Sequence, residues 1–197
     1  MYKNKENKDK YITATIWGGL GNQLFIYSAS RRLSIKSNLK LIIDDISGFN
    51  IDKKYKRNNQ LDNFQIPFYI DNKDILQRDL FNPLNRKLSK IINKPLPLNY
   101  KSYIHQKSPD FDNRLLKIQP KRNLRIEGYW QSENYFIDIE SEIRNDLAFI
   151  KELTKKNIQN KKHIKYENSV ALHLREPNKN LINFEKRDLT NYYIKAI

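Results

Sequence analysis

A βαβ unit near the start of the chain constrains the fold more than any other feature. Residues 12–17 form a β-branched run that ends in the glycine cluster of residues 18–21. A helical pattern follows to about residue 36, with Asn22 as its predicted N-cap. Residues 39–44 are a second apolar strand. Because two strands joined through a helix pair in parallel, the sequence predicts an α/β fold with a parallel sheet.

The rest of the chain divides into further predicted elements and domains. The predicted elements are a helix over 74–92, a strand over 124–128, a helix over 132–149, a basic linker helix over 151–165, a buried strand over 169–174 and a helix over 189–197. The predicted domains are an N-terminal α/β domain over 1–150, a linker over 151–168 and the start of a C-terminal domain over 169–197. The last strand has no later partner, so we expect a truncated reading frame whose second half is incomplete.

Charge and composition exclude several classes of protein. The 197 residues carry 37 Lys and Arg against 22 Asp and Glu, a formal charge of +15, and contain no Cys. Disulfides, thiolate metal sites and cysteine nucleophiles are therefore excluded. No apolar run approaches the ~20 residues of a membrane-spanning helix. The three histidines (His105, His163, His173) are too far apart for a zinc motif, so we predict no metal site.

The segment from Arg86 to Lys107 has six cations and no Asp or Glu. Such a segment attracts anionic lipid, so we expect peripheral contact with an anionic membrane. A solvated lysine surface is the simpler alternative. The first ten residues are rich in charge, and the apolar stretch over residues 12–17 is too short for the core of a signal peptide, so we expect a cytoplasmic protein, with a peripheral position on the inner membrane face as a further expectation.

The glycine turn is the first candidate site. Bare backbone N–H groups ahead of a helix can bind a phosphate or pyrophosphate, although many such turns are plain connections. Asp44, at the end of the next strand, lies where a ribose-binding acid would lie in a dinucleotide site. Leu24 replaces the third glycine of that fingerprint. A nicotinamide-dependent oxidoreductase is therefore one alternative.

His173 and Arg175 are the second candidate site. Both lie on one face of the predicted strand over 169–174, at the end where ligands of parallel sheets bind. An Arg there can hold a phosphate in a bidentate manner, with the His donating beside it. A structural His with an ordinary surface Arg is the alternative.

Several blocks of the sequence resemble one family. Residues 18–25 (Gly-Gly-Leu-Gly-Asn-Gln-Leu-Phe), with Tyr27 and Ala29 following, resemble the opening signature of the α-1,2-fucosyltransferase family. The other similar blocks, in the same order, are residues 41–44, 55–64, 128–136 (Gly-Tyr-Trp-Gln-Ser-Glu-Asn-Tyr-Phe), 169–175 and 191–197. Together the blocks span nearly the whole chain.

The resemblance implies a GT-B-like enzyme with two Rossmann-like halves, of which the C-terminal donor half is incomplete here. Such an enzyme transfers L-fucose from GDP-fucose to a sugar hydroxyl, usually of galactose, with inversion and without a required metal or cofactor. The expected partners are the nucleotide-sugar donor and a glycan or lipid-linked glycan acceptor, and not nucleic acid. The implied site residues are Arg175 and His173 for catalysis, and Gly18, Gly19, Gly21, Asn22 and Gln23 for donor binding.

The sequence departs from the family at three positions after Arg175. Glu176, Pro177 and Asn178 stand where the family has Arg, Gly and Asp. A carboxylate close to a pyrophosphate is unfavourable, so Glu176 is expected to weaken donor binding. A degenerate, inactive basic binding protein is the second alternative function. The aromatic residues of block 129–136 fit either a packed core or an acceptor site, and we favour the core.

Overall fold

A four-stranded parallel sheet forms the centre of the fold in the computed structural model, which describes residues 10–67 and 83–171. The strands are β1 (Tyr11–Thr15), β2 (Lys40–Asp44), β3 (Tyr103–His105) and β4 (Leu124–Glu127). Their order is β2-β1-β4-β3, and every pair is parallel. The predicted α/β class is confirmed, and the sheet is compatible with a Rossmann-like fold.

Helices and short 3₁₀ turns connect these strands. The described α-helices are α1 (Leu20–Ser37), α2 (Ser47–Ile51), α3 (Pro83–Asn93), α4 (Glu140–Asp146) and α5 (Lys155–Tyr166). The 3₁₀ turns are Leu61–Asn63, Leu98–Tyr100, Asn113–Lys117, Glu133–Tyr135 and Ile137–Ile139. Within the ranges that the structure describes, none of the helices has the length and apolar character needed to cross a membrane.

One face of the sheet is apolar and packs in a single buried cluster with α1. The sheet contributes Ile12, Ala14, Leu41, Ile43, Leu124 and Ile126, and the helix contributes Ile26, Ala29 and Leu33. The register pairs Ile12 with both Leu41 and Leu124, so side chains of equal parity meet on the same face. This packing explains why residues 11–44 fold as the predicted βαβ unit.

The opposite face of the sheet is also buried but carries polar side chains. Arg125 Nη1 donates to Asp44 Oδ2 at 2.5 Å and to Thr15 Oγ1 at 2.9 Å, which joins three strands. Beside them, Tyr103 Oη donates to Glu127 Oε2 at 2.7 Å. Buried polar groups are tolerated when they are paired, and here the pairs lie across strands.

The chain divides into two compact units, residues 1–152 and 153–197. The first contains the sheet and helices α1 to α4. In the described part of the second, α5 is capped by the Thr154 side chain, which accepts from the Asn157 N–H, and Ser169 Oγ donates to Ile164 O at 3.1 Å. Every described residue of this unit is exposed.

Several predicted elements need correction. The helix over 132–149 is confirmed only over Glu140–Asp146, because Phe136 has φ −146° and the segment before α4 forms two 3₁₀ turns. The buried strand over 169–174 is wrong for residues 169–171, which are exposed coil; Val170 is 91% exposed. The remainder of that strand, the helix over 189–197 and residues 74–82 lie outside the described residues.

Candidate functional site

The glycine turn links β1 to α1 and has a fixed shape. Gly18 has φ +78°, a left-handed conformation that favours glycine. A Cβ there would lie 2.8 Å from Asn22 Nδ2 and 3.3 Å from Tyr129 Cε1. Gly19 is the N-cap of α1, and its C=O accepts from the Gln23 N–H at 3.1 Å. The prediction of Asn22 as N-cap is therefore wrong: the left-handed turn starts the helix earlier, at Leu20.

The Gln23 side chain holds this turn in place through hydrogen bonds. The side chain is buried, with Nε2 donating to Gly18 O at 2.9 Å and to Asn58 O at 3.0 Å. Its Oε1 accepts from the Gln60 N–H at 2.9 Å. Gln23 therefore joins the glycine turn to the loop over residues 58–60 and shapes the site from inside.

The loop after β4 closes over the other side of the turn. Gln131 Nε2 donates to Asn22 Oδ1 at 2.7 Å, and the rings of Trp17 and Tyr129 stack with centroids 5.1 Å apart. Tyr129 and Gln131 are exposed. Asn22, Tyr129 and Gln131 thus place two amides and one aromatic ring at the surface beside Gly18.

The end of β3 contributes Gln106 to the same edge of the sheet. Its Oε1 accepts from the N–H groups of Tyr129 and Trp130 at 2.9 and 3.0 Å. This double contact holds Trp130 in a left-handed conformation with φ +51°. Gln106 also lines a cleft of ≈ 390 Å³ with the following loop, where Phe111 is partly exposed.

These loops meet where ligands of open α/β sheets bind. From β1 the chain crosses through α1 to β2 on one side, whereas β4 pairs with β1 on the other. The carboxyl ends of β1 and β4 therefore flank a point where the connections diverge, which is where open α/β sheets place a binding crevice. The glycine turn and the loop after β4 border this point.

Three buried N–H donors in this region have no acceptor within the part of the chain that the structure describes. They are Trp17 Nε1, Gln106 Nε2 and Trp130 Nε1, one after each of β1, β3 and β4. Each such donor costs about 1–3 kcal/mol if it stays unpaired. Groups of this kind are suited to hydroxyl or phosphate oxygens, since all three are donors.

Asp44 does not lie at this crevice surface. It is 1% exposed; Oδ2 pairs with Arg125, and Oδ1 accepts from the Ser47 N–H at 2.9 Å. Burial opposes ionisation, but the Arg125 guanidinium and the Ser47 N–H outweigh it and lower the pKa of Asp44. The assignment of Asp44 as a ribose-binding acid is corrected by this finding, because both of its oxygens are already engaged.

The five predicted donor-binding residues Gly18, Gly19, Gly21, Asn22 and Gln23 lie together at this edge, whereas His173 and Arg175 lie outside the described residues. Sequence reasoning did not select Gln106 or Gln131 as site residues. Neither has a local signal, because each acts through a contact more than 20 residues away along the chain. Trp130 and Tyr135 are buried in the core, which confirms the favoured interpretation for these two aromatics.

Comparison with known proteins gives no match: no protein-family model, no curated protein and no solved structure is significantly similar to this chain. In residues 10–67 and 83–171, no cluster of three or more His, Asp or Glu side chains could hold a metal ion.

Proposed function

We propose that this chain is a glycosyltransferase of the α-1,2-fucosyltransferase type that uses GDP-fucose as donor. One observation carries the proposal. Three of the sequence blocks that resemble this family are far apart in the chain, yet the first, residues 18–25, contacts both of the others, residues 55–64 and 128–136. A plain strand-to-helix connection does not need such a convergence.

The contacts between the blocks are specific. Gln23 in the first block bonds Asn58 and Gln60 in the second. Asn22 in the first block bonds Gln131 in the third, and Phe25 packs on Phe136 with ring centroids 6.0 Å apart. The described residues of the three blocks therefore form one structural unit at the carboxyl edge of the sheet.

In this proposal the donor diphosphate lies against the glycine turn. The N–H groups at the start of the 18-residue helix α1 favour negative charge, and Gly19 and Gly21 leave open space where a Cβ would stand. Asn22 lies beside the donor. By the resemblance, Arg175 and His173 are the catalytic residues of a two-domain, GT-B-like enzyme.

The reaction breaks the bond between fucose C1 and the β-phosphate oxygen of GDP-fucose. The acceptor hydroxyl oxygen bonds to C1 from the opposite face, its proton passes to a base, and GDP leaves with the bonding electron pair. Negative charge grows on the leaving diphosphate, so fixed N–H and cationic donors there lower the barrier. Positioning of the acceptor hydroxyl in line with the breaking bond lowers the barrier further.

We place the acceptor sugar in the cleft between Gln106 and Arg114. Phe111 offers an aromatic surface for the apolar face of a sugar ring, and Asp110 and Asn113 offer groups that bond hydroxyls. Phe111→Ala should therefore raise the KM for the acceptor and leave GDP affinity unchanged.

Calorimetry on the full chain tests the proposal. GDP and GDP-fucose should bind, and NAD should not. Asn22→Ala should weaken GDP binding about tenfold, whereas Asn157→Ala, an exposed Asn on α5, should not change it. Binding of NAD in preference to GDP would support the oxidoreductase alternative and reject the proposal.

A further inference from the structure

Helix α3 presents apolar side chains outward. Leu88, Ile91 and Ile92 occupy one stripe at helical spacing and are 54%, 67% and 61% exposed. An ordinary surface helix turns such a stripe towards the core. Contiguous exposed apolar side chains on a folded chain indicate a surface that binds something.

Hydrogen bonds on the opposite side of α3 hold the helix in this orientation. Asn93 is buried, and its Oδ1 accepts from the Ser102 N–H at 2.6 Å, at the entry to β3. Its Nδ2 donates to Ser89 O at 2.7 Å, and Lys101 Nζ donates to the backbone oxygen of Asn93. The helix is thus fixed to the domain through a polar stripe, which leaves its apolar stripe facing away.

A stripe of cations borders the apolar one. Lys87, Lys90 and Lys94 recur at helical spacing, and each is exposed. No Asp or Glu occurs between residues 83 and 107. An apolar stripe flanked by lysines on one side only is the pattern of helices that lie in the surface of an anionic bilayer.

We propose that α3 binds the surface of an anionic lipid bilayer, with its axis in the membrane plane. Leu88, Ile91 and Ile92 enter the boundary between headgroups and acyl chains. Lys87, Lys90 and Lys94 extend their stems along the apolar boundary and keep their ammonium groups among the lipid phosphates. This proposal is independent of the glycosyltransferase activity, since it rests on α3 alone.

Helix α5 provides a matched control within the same chain. It is also basic and exposes Ile158 and Ile164, at 43% and 64%. Its lysines and isoleucines do not separate into stripes, because Ile158 and Ile164 are six residues apart and lie on different sides. If net charge alone caused membrane binding, equal changes of charge on α3 and on α5 would weaken it equally.

Co-sedimentation of the full chain with vesicles tests the proposal. The probes are vesicles of phosphatidylcholine alone and of phosphatidylcholine mixed with phosphatidylglycerol. We expect binding to the anionic vesicles only. The double variant Lys90→Glu with Lys94→Glu should weaken vesicle binding at least about 25-fold, because each lysine lost costs about fivefold in affinity. Lys161→Glu with Lys162→Glu on α5, which changes net charge equally, should weaken it less than about fivefold.

A second pair of variants tests the apolar stripe at unchanged net charge. Leu88→Asn with Ile91→Asn should weaken vesicle binding about tenfold or more. It should also remove the apolar component of binding, which persists in high salt. Ile158→Asn with Ile164→Asn should leave it unchanged. Thermal unfolding checks that each variant is folded, which these exposed positions favour.

Three results would overturn the proposal. One is no binding of the wild-type chain to anionic vesicles. The second is an equal loss in the α3 and α5 variants, which would assign binding to net charge. The third is a dimer in sedimentation equilibrium that Leu88→Asn with Ile91→Asn dissociates, without vesicle binding, which would make the stripe an interface between two copies.

Discussion

The first compact unit contains two groups of buried polar side chains that differ in how their hydrogen bonds are satisfied. On the polar face of the sheet, Arg125 bonds Asp44 and Thr15, and Tyr103 bonds Glu127. At the carboxyl edge, Trp17, Gln106 and Trp130 each bury an N–H donor without an acceptor among the described residues. The first group lies within the sheet, and the second lies in the segments that follow β1, β3 and β4.

This difference distinguishes side chains that stabilise the fold from side chains that can bind a ligand. A paired buried group contributes to the folded state, and removing one partner is costly because the other stays buried. An unpaired buried donor lowers the stability of the fold until an oxygen of another molecule reaches it. The comparison predicts that substitutions on the polar face lower stability, and that substitutions at the edge mainly change ligand affinity.

The largest effect is expected for Arg125→Met. The change leaves the Asp44 carboxylate buried without its cation and should lower the free energy of unfolding by about 3–5 kcal/mol. Arg144→Met is the control, because Arg144 pairs with Glu140 on the exposed side of α4 and should cost less than about 1 kcal/mol. Urea unfolding measures both, and equal losses would contradict the distinction between buried and exposed pairs.

Acid should weaken the same pair. The folded-state pKa of Asp44 is below its unfolded value of about 3.9, so its contribution is complete above that value. The contribution is lost as the pH falls through the lower, folded-state pKa. Stability of the wild type should therefore fall more steeply in acid than that of Asp44→Asn, which has no carboxyl group at this position. Parallel pH profiles for the two proteins would show that Asp44 is not held ionised by Arg125.

Tyr103→Phe and Trp17→Phe compare a paired with an unpaired donor directly. Loss of the Tyr103 hydroxyl should cost about 1–3 kcal/mol, since it removes a hydrogen bond to buried Glu127. Trp17→Phe keeps a ring to stack on Tyr129, and removal of the unpaired N–H offsets the burial lost with the smaller ring, so stability should change by less than about 1 kcal/mol. GDP affinity should fall in Trp17→Phe alone. The reverse pattern, in which Tyr103→Phe loses affinity and Trp17→Phe loses stability, would refute the comparison.

Two glycines of the turn should affect stability and ligand affinity in different ways. Gly18→Ala should lower stability by about 1–2 kcal/mol, because φ is +78° and the new Cβ meets Asn22. Gly21→Ala adds a Cβ into open space on α1 and should raise stability by up to about 1 kcal/mol. Both should weaken GDP binding, and for Gly21 affinity and stability should move in opposite directions. Unchanged GDP affinity in Gly21→Ala would place the diphosphate elsewhere.

The βαβ unit could be predicted because its signals are local. The apolar runs at the two strands, the glycine cluster and the helical spacing lie within residues 11–44, and β1, α1 and β2 follow them closely. β3 was missed because three residues between a basic segment and a polar loop carry almost no periodic signal. Only Tyr103-Ile104, an aromatic next to a β-branched residue, could have indicated it.

The site was only partly predictable for a physical reason. The glycine turn is encoded by the local need for a left-handed residue at Gly18, and the sequence indicates it. The roles of Gln106 and Gln131 depend on which strands are neighbours in the sheet, and no spacing encodes that order. The position of Asp44 at a strand end fits a ribose-binding acid in the oxidoreductase alternative, because its partner Arg125 lies 81 residues away and no local pattern reveals the pair.

Fucose transfer by the full chain tests the proposed activity itself. With GDP-fucose and a β-galactoside, the wild type should release GDP and form a galactoside that carries one added deoxyhexose, detected by mass spectrometry. Asn22→Ala should lower kcat/KM at least about tenfold, and Asn157→Ala should leave it unchanged. A wild-type chain that neither binds GDP nor forms the fucosylated product, or that transfers equally well with Asn22→Ala, would contradict the account.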